Sequence, residues 1–373
     1  MPENTDQPGA WFARPAARTW TCPPAPAQAQ AFHASLPGYA ITPLHELPSL
    51  AVELGVGRVF VKDESARLGL PAFKALGASW AVHRVLEERA ASGGAAAEPV
   101  TLVTATDGNH GRAVARTARL LGRRAHVFVS GGVHPAASAA IAAEGAEVTQ
   151  VAGPYDEAVR RAAAAAAVGT AAVLVQDSAW PGYERVPRWI VEGYSTLFTE
   201  IDSQLAAAGA RLPDLVAVPV GVGSLAQAAV THYRSRPTAG EPAPALLSVE
   251  PEAAACVIES LIRGELTSVV TGDTAMAGLN CGTPSSLAWP YLRDGLDAAV
   301  AVTDAGSARA ARELAALGVS SGPCGAASLA GVRAALTGEG AEGRRADLGL
   351  GPAATLVLLS TEGAEANPHH QEP

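Results

Sequence analysis

Three short segments of the sequence concentrate groups able to do chemistry. The first, Lys62-Asp63-Glu64-Ser65-Ala66-Arg67-Leu68-Gly69-Leu70-Pro71-Ala72-Phe73-Lys74, runs from an apolar strand pattern into a helical one. A lysine at a helix start feels the positive end of the peptide dipoles, which disfavours its ammonium form. Lys74 would then be nucleophilic enough to form a Schiff base. Taken alone, a surface lysine that merely opens a helix is the simpler reading. The second, Thr104-Ala105-Thr106-Asp107-Gly108-Asn109-His110-Gly111-Arg112, crowds hydroxyl, amide and carboxylate groups onto one loop, with glycines that permit tight turns. A helix-capping turn explains Asp107 or Asn109 singly, but not the whole cluster. His110 and Arg112 read as helix-start residues without chemistry.

The third segment, Pro219-Val220-Gly221-Val222-Gly223-Ser224-Leu225, follows an apolar strand and opens a helix. Exposed N–H groups together with the helix dipole make such a loop a phosphate cradle. A dinucleotide fingerprint would need a third glycine, and Gln227 stands near that position; Glu250 lies too far on to be its ribose acid. No Gly-Lys-Ser/Thr follows either. A nicotinamide dehydrogenase is disfavoured accordingly.

All three segments fall at strand ends, where open α/β sheets bind ligands. Strand patterns cover residues 58–61, 100–104, 125–129, 147–151, 172–175, 215–220, 246–249, 298–302 and 354–359. Helical patterns cover residues 75–91, 110–121, 136–144, 156–167, 307–317 and 324–335, and another begins at Leu225. Asp156 reads as a cap. Strands separated by crossover helices imply parallel sheets buried on both faces. Residues 1–40 read as an irregular arm, and Thr337 to Asp347 as a surface loop.

Composition bounds the rest. A chain of 373 residues with 48% hydrophobic and 17% charged residues has material for a real core. Its charge is 27 − 36 = −9, with no basic run to track a phosphate backbone. Nucleic acid and anionic membranes are thus poor partners. No run of about 18 apolar residues reads as a membrane span. With no signal-peptide pattern at the N-terminus, a cytoplasmic enzyme is the default. Cys22, Cys256, Cys281 and Cys324 form no Cys-x-x-Cys pair, so no metal site is expected; a Cys256–Cys281 bridge stays open.

An early lysine, an Asn-Gly turn and a later glycine loop are the parts needed to hold one phosphorylated aldehyde. Their order and spacing resemble the fold-type-II pyridoxal-phosphate enzymes, the tryptophan-synthase-β superfamily, and within it diaminopropionate ammonia-lyase. The resemblance runs from about residue 40 to the last strand. It extends through Gln176-Asp177-Ser178-Ala179-Trp180 with Gly182-Tyr183, Val249-Glu250-Pro251, Met276 to Gly282, Ser321 to Gly325 and Ser360-Thr361-Glu362-Gly363. Ala66, Leu68 and Pro71 depart from the family pattern beside the lysine, which bears on substrate preference.

The resemblance implies an α/β fold of two domains, each a mainly parallel sheet flanked by helices. The large domain would comprise residues 41–78 and 189–373, and the small one residues 79–188. It implies pyridoxal 5'-phosphate held by Lys74. Asn109 would bind its phenolic oxygen, Gly221, Val222, Gly223, Ser224 and Leu225 its phosphate, and Ser360 would face the pyridine nitrogen. A plain strand-end hydroxyl explains Ser360 about as well. The implied reaction is β-elimination of ammonia from 2,3-diaminopropionate, with Asp107 as base for the D-isomer and Asp177, together with Lys74, for the L-isomer. A helix cap is the competing role for Asp177. Trp180 and Tyr183 would wall the pocket or simply pack under the loop. A homodimer is implied too. The alternative is another eliminase, such as a serine or threonine dehydratase, or a synthase that captures aminoacrylate; the aspartate before Gly108-Asn109 disfavours the dehydratases.

Overall fold

The computed structural model describes residues 10–91, 100–168, 171–235 and 243–366. The alternating apolar runs fold into two sheets. The chain first lays down β1 (Trp11–Ala13), α1 (Gln28–Ser35), β2 (Leu44–Glu46), α2 (Pro48–Leu54), β3 (Arg58–Asp63) and α3 (Lys74–Ala91). It then builds β4 (Thr101–Thr106), α4 (Asn109–Leu120), β5 (Arg124–Ser130), α5 (Pro135–Ala143), β6 (Glu147–Val151), α6 (Tyr155–Ala166) and β7 (Ala172–Leu174). These last four strands form one sheet in the order β6-β5-β4-β7, all parallel.

After the long α7 (Arg185–Ala207) come β8 (Leu215–Pro219), α8 (Ser224–Arg234), β9 (Ala245–Pro251), α9 (Cys256–Arg263), α10 (Trp289–Gly295) and β10 (Ala298–Val302). The chain then adds α11 (Asp304–Ala316), α12 (Pro323–Leu336), α13 (Ala341–Leu348) and β11 (Thr355–Ser360). The second sheet has the order β1-β10-β9-β8-β11-β3-β2 and is parallel except at its two short edges. Strands β8 to β11 are buried along their whole length, which is why they read as unbroken Val/Leu/Ala runs rather than alternating ones.

Three local expectations change. Thr337 to Asp347 contains a helix, α13, with left-handed glycines at both ends: Gly340 at φ 73° and Gly349 at φ 65°. The lead-in contributes edge strand β1 and helix α1. Asp156 lies inside the first turn of α6 and makes no cap, since Pro154 holds that position; its charge instead favours the helix dipole.

Two features anchor the segment that carries Lys74. Helix α3 packs on α7 almost backbone to backbone. A Cβ on Gly77 would fall 2.6 Å from the Tyr194 ring, and one on Gly193 would fall 2.6 Å from the Leu76 carbonyl. Before α3, the loop is tied by a fully buried charge cluster. Lys62 Nζ lies 2.7 Å from Glu200, and Arg67 bonds both Glu64 and Glu200 at 2.7 Å, with Thr42 hydrogen-bonded between them. Two cations facing two carboxylates can sit in the interior because each has a partner.

Candidate active site

Strand β3 and helix α3 bring Lys74 to the junction of the two sheets. Its Nζ donates to Asp177 Oδ2 at 2.7 Å. Burial works against the ammonium, but the Asp177 carboxylate outweighs it and raises the Lys74 pKa above its ordinary value. The expectation that a helix start would depress this pKa is therefore corrected: an opposite charge in contact exceeds a dipole end. Asp177 is the mirror image. Burial disfavours its charge, yet His110 and Lys74 hold the carboxyl well below the usual range.

Asp177 is set by its neighbour. Gln176 Oε1 accepts from Ala105 N and Thr104 Oγ1 at 2.9 and 3.0 Å, and its Nε2 donates to Tyr155 Oη at 2.7 Å. The Gln176 N–H bonds Tyr183 Oη, which donates on to Leu174. These contacts pin the exit of β7 to the exit of β4. Trp180 stacks on Tyr183 at 4.4 Å, so both brace this loop. No helix follows Asp177 until Arg185, which removes the capping role as its explanation.

At the end of β4, Thr106 Oγ1 accepts from the Gly108 and Gly111 N–H groups, both at 3.0 Å. Glycine is required at 111, because a Cβ there would lie 2.2 Å from Thr106 Cγ2. This turn leaves Asp107 exposed to solvent, with Ser130 Oγ donating to it at 3.2 Å. The protein walls around it raise its pKa, Ser130 lowers it, and the charge of Asp177 raises it further. Asn109 opens α4, and its Nδ2 donates to Glu362 Oε2 at 2.8 Å.

The loop after β8 is braced from outside. A Cβ on Gly221 would meet Cys281 Sγ at 2.9 Å, and one on Gly223, at φ 97°, would meet Leu292 at 2.5 Å. Ser285 N donates to the Val222 carbonyl. Gly223, the N-cap of α8, has no side chain to cap it, so the N–H groups beginning at Ser224 and Leu225 suit an anionic ligand. Cys281, packed against Gly221, also lies in electrostatic reach of Lys74, Asp177 and Asp107, which ties this loop to the carboxylates. Burial pushes its thiol up to about 12. Cys256 and Cys281 are both free thiols, so the open question of a bridge is answered against it. Ser360 ends β11, buried, with its Oγ bonded to Ser321 Oγ at 2.8 Å.

Sequence reasoning set His110 aside, and the structure puts it here. It is buried, with Nε2 2.8 Å from the Val175 carbonyl and Nδ1 3.8 Å from Asp177 Oδ2. Tyr155, Glu362 and Tyr194 also belong to the site's surroundings and were not singled out. Tyr194 is wholly buried, its ring 4.8 Å from Phe73, and its hydroxyl has no hydrogen-bond partner among the described residues. Only Glu362, within the quoted Ser360-Thr361-Glu362-Gly363 motif, and Tyr155, next to Asp156, left a trace in the sequence.

A phosphorylated aldehyde fits this set of groups. An amine is held by a carboxylate, and a helix start whose N-cap is a glycine presents its first N–H groups to a phosphate dianion. Comparisons with known proteins agree. The family model "Pyridoxal-phosphate dependent enzyme" matches residues 36–346. Diaminopropionate ammonia-lyase of Salmonella typhimurium is 40% identical over 299 residues, 76% of this chain and 73% of that protein. The Escherichia coli K12 enzyme of that name is 35% identical over 361 residues, 92% and 89% of the two chains. The solved Escherichia coli enzyme, in complex with an aminoacrylate-PLP azomethine reaction intermediate, superposes with a TM-score of 0.87 at 32% identity, covering 97% of this chain and 96% of that one. Maize serine racemase shares the fold at 23% identity, with a TM-score of 0.72. This chain belongs to the pyridoxal-phosphate dependent enzyme family, in its fold-type-II group.

Proposed function

We propose that the protein eliminates ammonia from 2,3-diaminopropionate to give pyruvate and ammonia, with Asp107 serving the D-isomer and Asp177 the L-isomer. The observation that carries this reading is a pair of carboxylates in electrostatic reach of each other, one of them bonded to Lys74, on two different strand exits of the small sheet. Each has a distinct environment: one is exposed to solvent, the other is sealed against Lys74 and His110. Two bases on separate elements suit abstraction of an α-proton from either face. Their negative charge also suits a substrate with a second ammonium group.

Lys74 would hold the cofactor through its ε-amine, the Gly221–Leu225 loop its phosphate, Asn109 its phenolic oxygen and Ser360 its pyridine nitrogen. Bound there, pyridoxal phosphate supplies an electron sink for the pair left on the substrate α-carbon. The residues handle the protons. Asp177 Oδ2, 2.7 Å from Lys74 Nζ, orients that amine. Glu362, bonded to Asn109 Nδ2, fixes which way that amide points. Asp107 or Asp177 takes the α-proton, and the β-amino group leaves as ammonia. The enamine product then takes up water and gives pyruvate, its α-nitrogen leaving as a second ammonia.

The reading extends to two domains, residues 41–78 with 189–373 and residues 79–188, preceded by an arm over 1–40; the separation of the strands into two sheets supports it. A cytoplasmic setting is supported by four cysteines left as thiols, and a homodimer by the resemblance. Purified enzyme offered D- and L-diaminopropionate, serine, threonine and β-chloroalanine tests the substrate, with pyruvate and ammonia as readouts. Turnover of serine or threonine with neither diaminopropionate isomer consumed would refute it.

A further inference from the structure

His110 is the second residue of α4 and only 4% exposed. Its Nε2 faces the Val175 carbonyl at 2.8 Å. A carbonyl only accepts, so the ring hydrogen sits on Nε2 and the neutral ring turns a lone pair outward at Nδ1. That Nδ1 is buried and has no hydrogen-bond partner among the described residues. What it faces is Asp177 Oδ2, 3.8 Å away. Two acceptors therefore confront each other across a short gap, an arrangement that costs free energy unless a cation answers the carboxylate. Lys74 answers it from the other side, at 2.7 Å on the same oxygen.

Lys74 does its chemistry through that same nitrogen, so its positive charge is not constant through a catalytic cycle. We propose that His110 is the second charge partner of Asp177, a positioning residue whose Nδ1 takes up a proton whenever Lys74 is not present as an ammonium. The carboxylate is then never left buried and unpaired, and stays ionised as a base. This rests on the proposed role of Asp177 toward the L-isomer. Among the described residues, the charged groups that reach the ring are Asp177 and Lys74. Asp177, from the β7 exit, favours the imidazolium, and Lys74, from α3, opposes it. Burial, the largest influence, keeps the ring neutral while Lys74 is charged.

The test needs no substrate. Imidazole 15N and 1H shifts of His110 are followed against pH in the apoenzyme, in Lys74→Ala and Lys74→Gln, and in each of these combined with Asp177→Asn. Removing the lysine charge is expected to raise the proton affinity of His110 at least about tenfold, and adding Asp177→Asn to cancel the rise. Either folded lysine variant suffices. An unchanged His110 titration, or a rise that persists without Asp177, would overturn the proposal. Holoenzyme His110→Gln, which keeps a donor for Val175 but cannot titrate, gives a second readout. Its kcat for the L-isomer should fall relative to that for the D-isomer, with KM kept and the acid limb of the L-isomer profile moved to higher pH. An unchanged ratio and profile would count against the proposal. If wild-type enzyme consumed neither isomer, the substrate reading would fail while the titration still decided the role of His110.

Discussion

Replacing Asp177 with asparagine separates the two proton acceptors most sharply. The substitution preserves shape and deletes one charge at a position where the carboxylate lies 2.7 Å from Lys74 Nζ. Side-chain exposures of 24% and 15% make this pair mostly buried. A fully buried pair broken from one side costs ~3–5 kcal/mol. With part of Lys74 open to solvent, about 2 kcal/mol of apoenzyme stability is expected to be lost. The catalytic effect is larger. A positioned general base contributes about 100- to 10,000-fold, or roughly 3–5 kcal/mol in the barrier, so turnover of the L-isomer should fall by that factor. Asp107 remains, and D-isomer turnover should stay within about tenfold. Because the charge of Asp177 raises the Asp107 pKa, its removal lowers that pKa, and the acid limb of the D-isomer profile should move to lower pH. Stopped assays of pyruvate from each isomer across pH measure all of this. Equal losses on both isomers, or none on the L-isomer, would refute the division of labour.

Other consequences can be checked directly. Gly223→Ala places a Cβ 2.5 Å from Leu292 at φ 97°, and should weaken cofactor retention by about 10- to 100-fold, roughly 1–3 kcal/mol, measured by equilibrium dialysis of the coenzyme. Arg67→Met strands Glu64 and Glu200 with Lys62 as their one remaining cation, and should cost about 3–5 kcal/mol in urea unfolding. His33 is buried and neutral between Thr196 and the Leu76 carbonyl, its pKa lowered to about 4 by burial. A histidine with a depressed folded pKa stabilises above its unfolded value and loses that contribution as pH falls. About 3 kcal/mol should therefore disappear between pH 6.5 and about 4, and His33→Gln should flatten this part of the stability curve.

What could be read from the chain follows a physical pattern. Strands buried on both faces announce themselves, and β10 begins and ends where its apolar run does. Helix α7 went unread because Pro187 and Gly193 look like breakers. Proline is tolerated in the first turn, and the glycine is there to let Leu76 approach. In α13 the glycines that suggested a loop are its ends. The site shows the same division. Lys74, Asp107, Asn109 and the Gly221–Leu225 loop lie in dense local clusters, so spacing alone marks them. The contact of Asn109 with Glu362 spans 253 residues, and His110 gains its role only from the β7 exit, 65 residues on. Local pattern carries no signal for such pairings. The raised pKa of Lys74 was missed for the same reason, since its partner is 103 residues away.

Which nitrogen holds the cofactor decides the role of every other residue at the site. Holoenzyme reduced with borohydride, digested and mapped by mass spectrometry should carry one pyridoxyl group, on the peptide containing Lys74. A label on Lys62, or on no lysine at all, would contradict it.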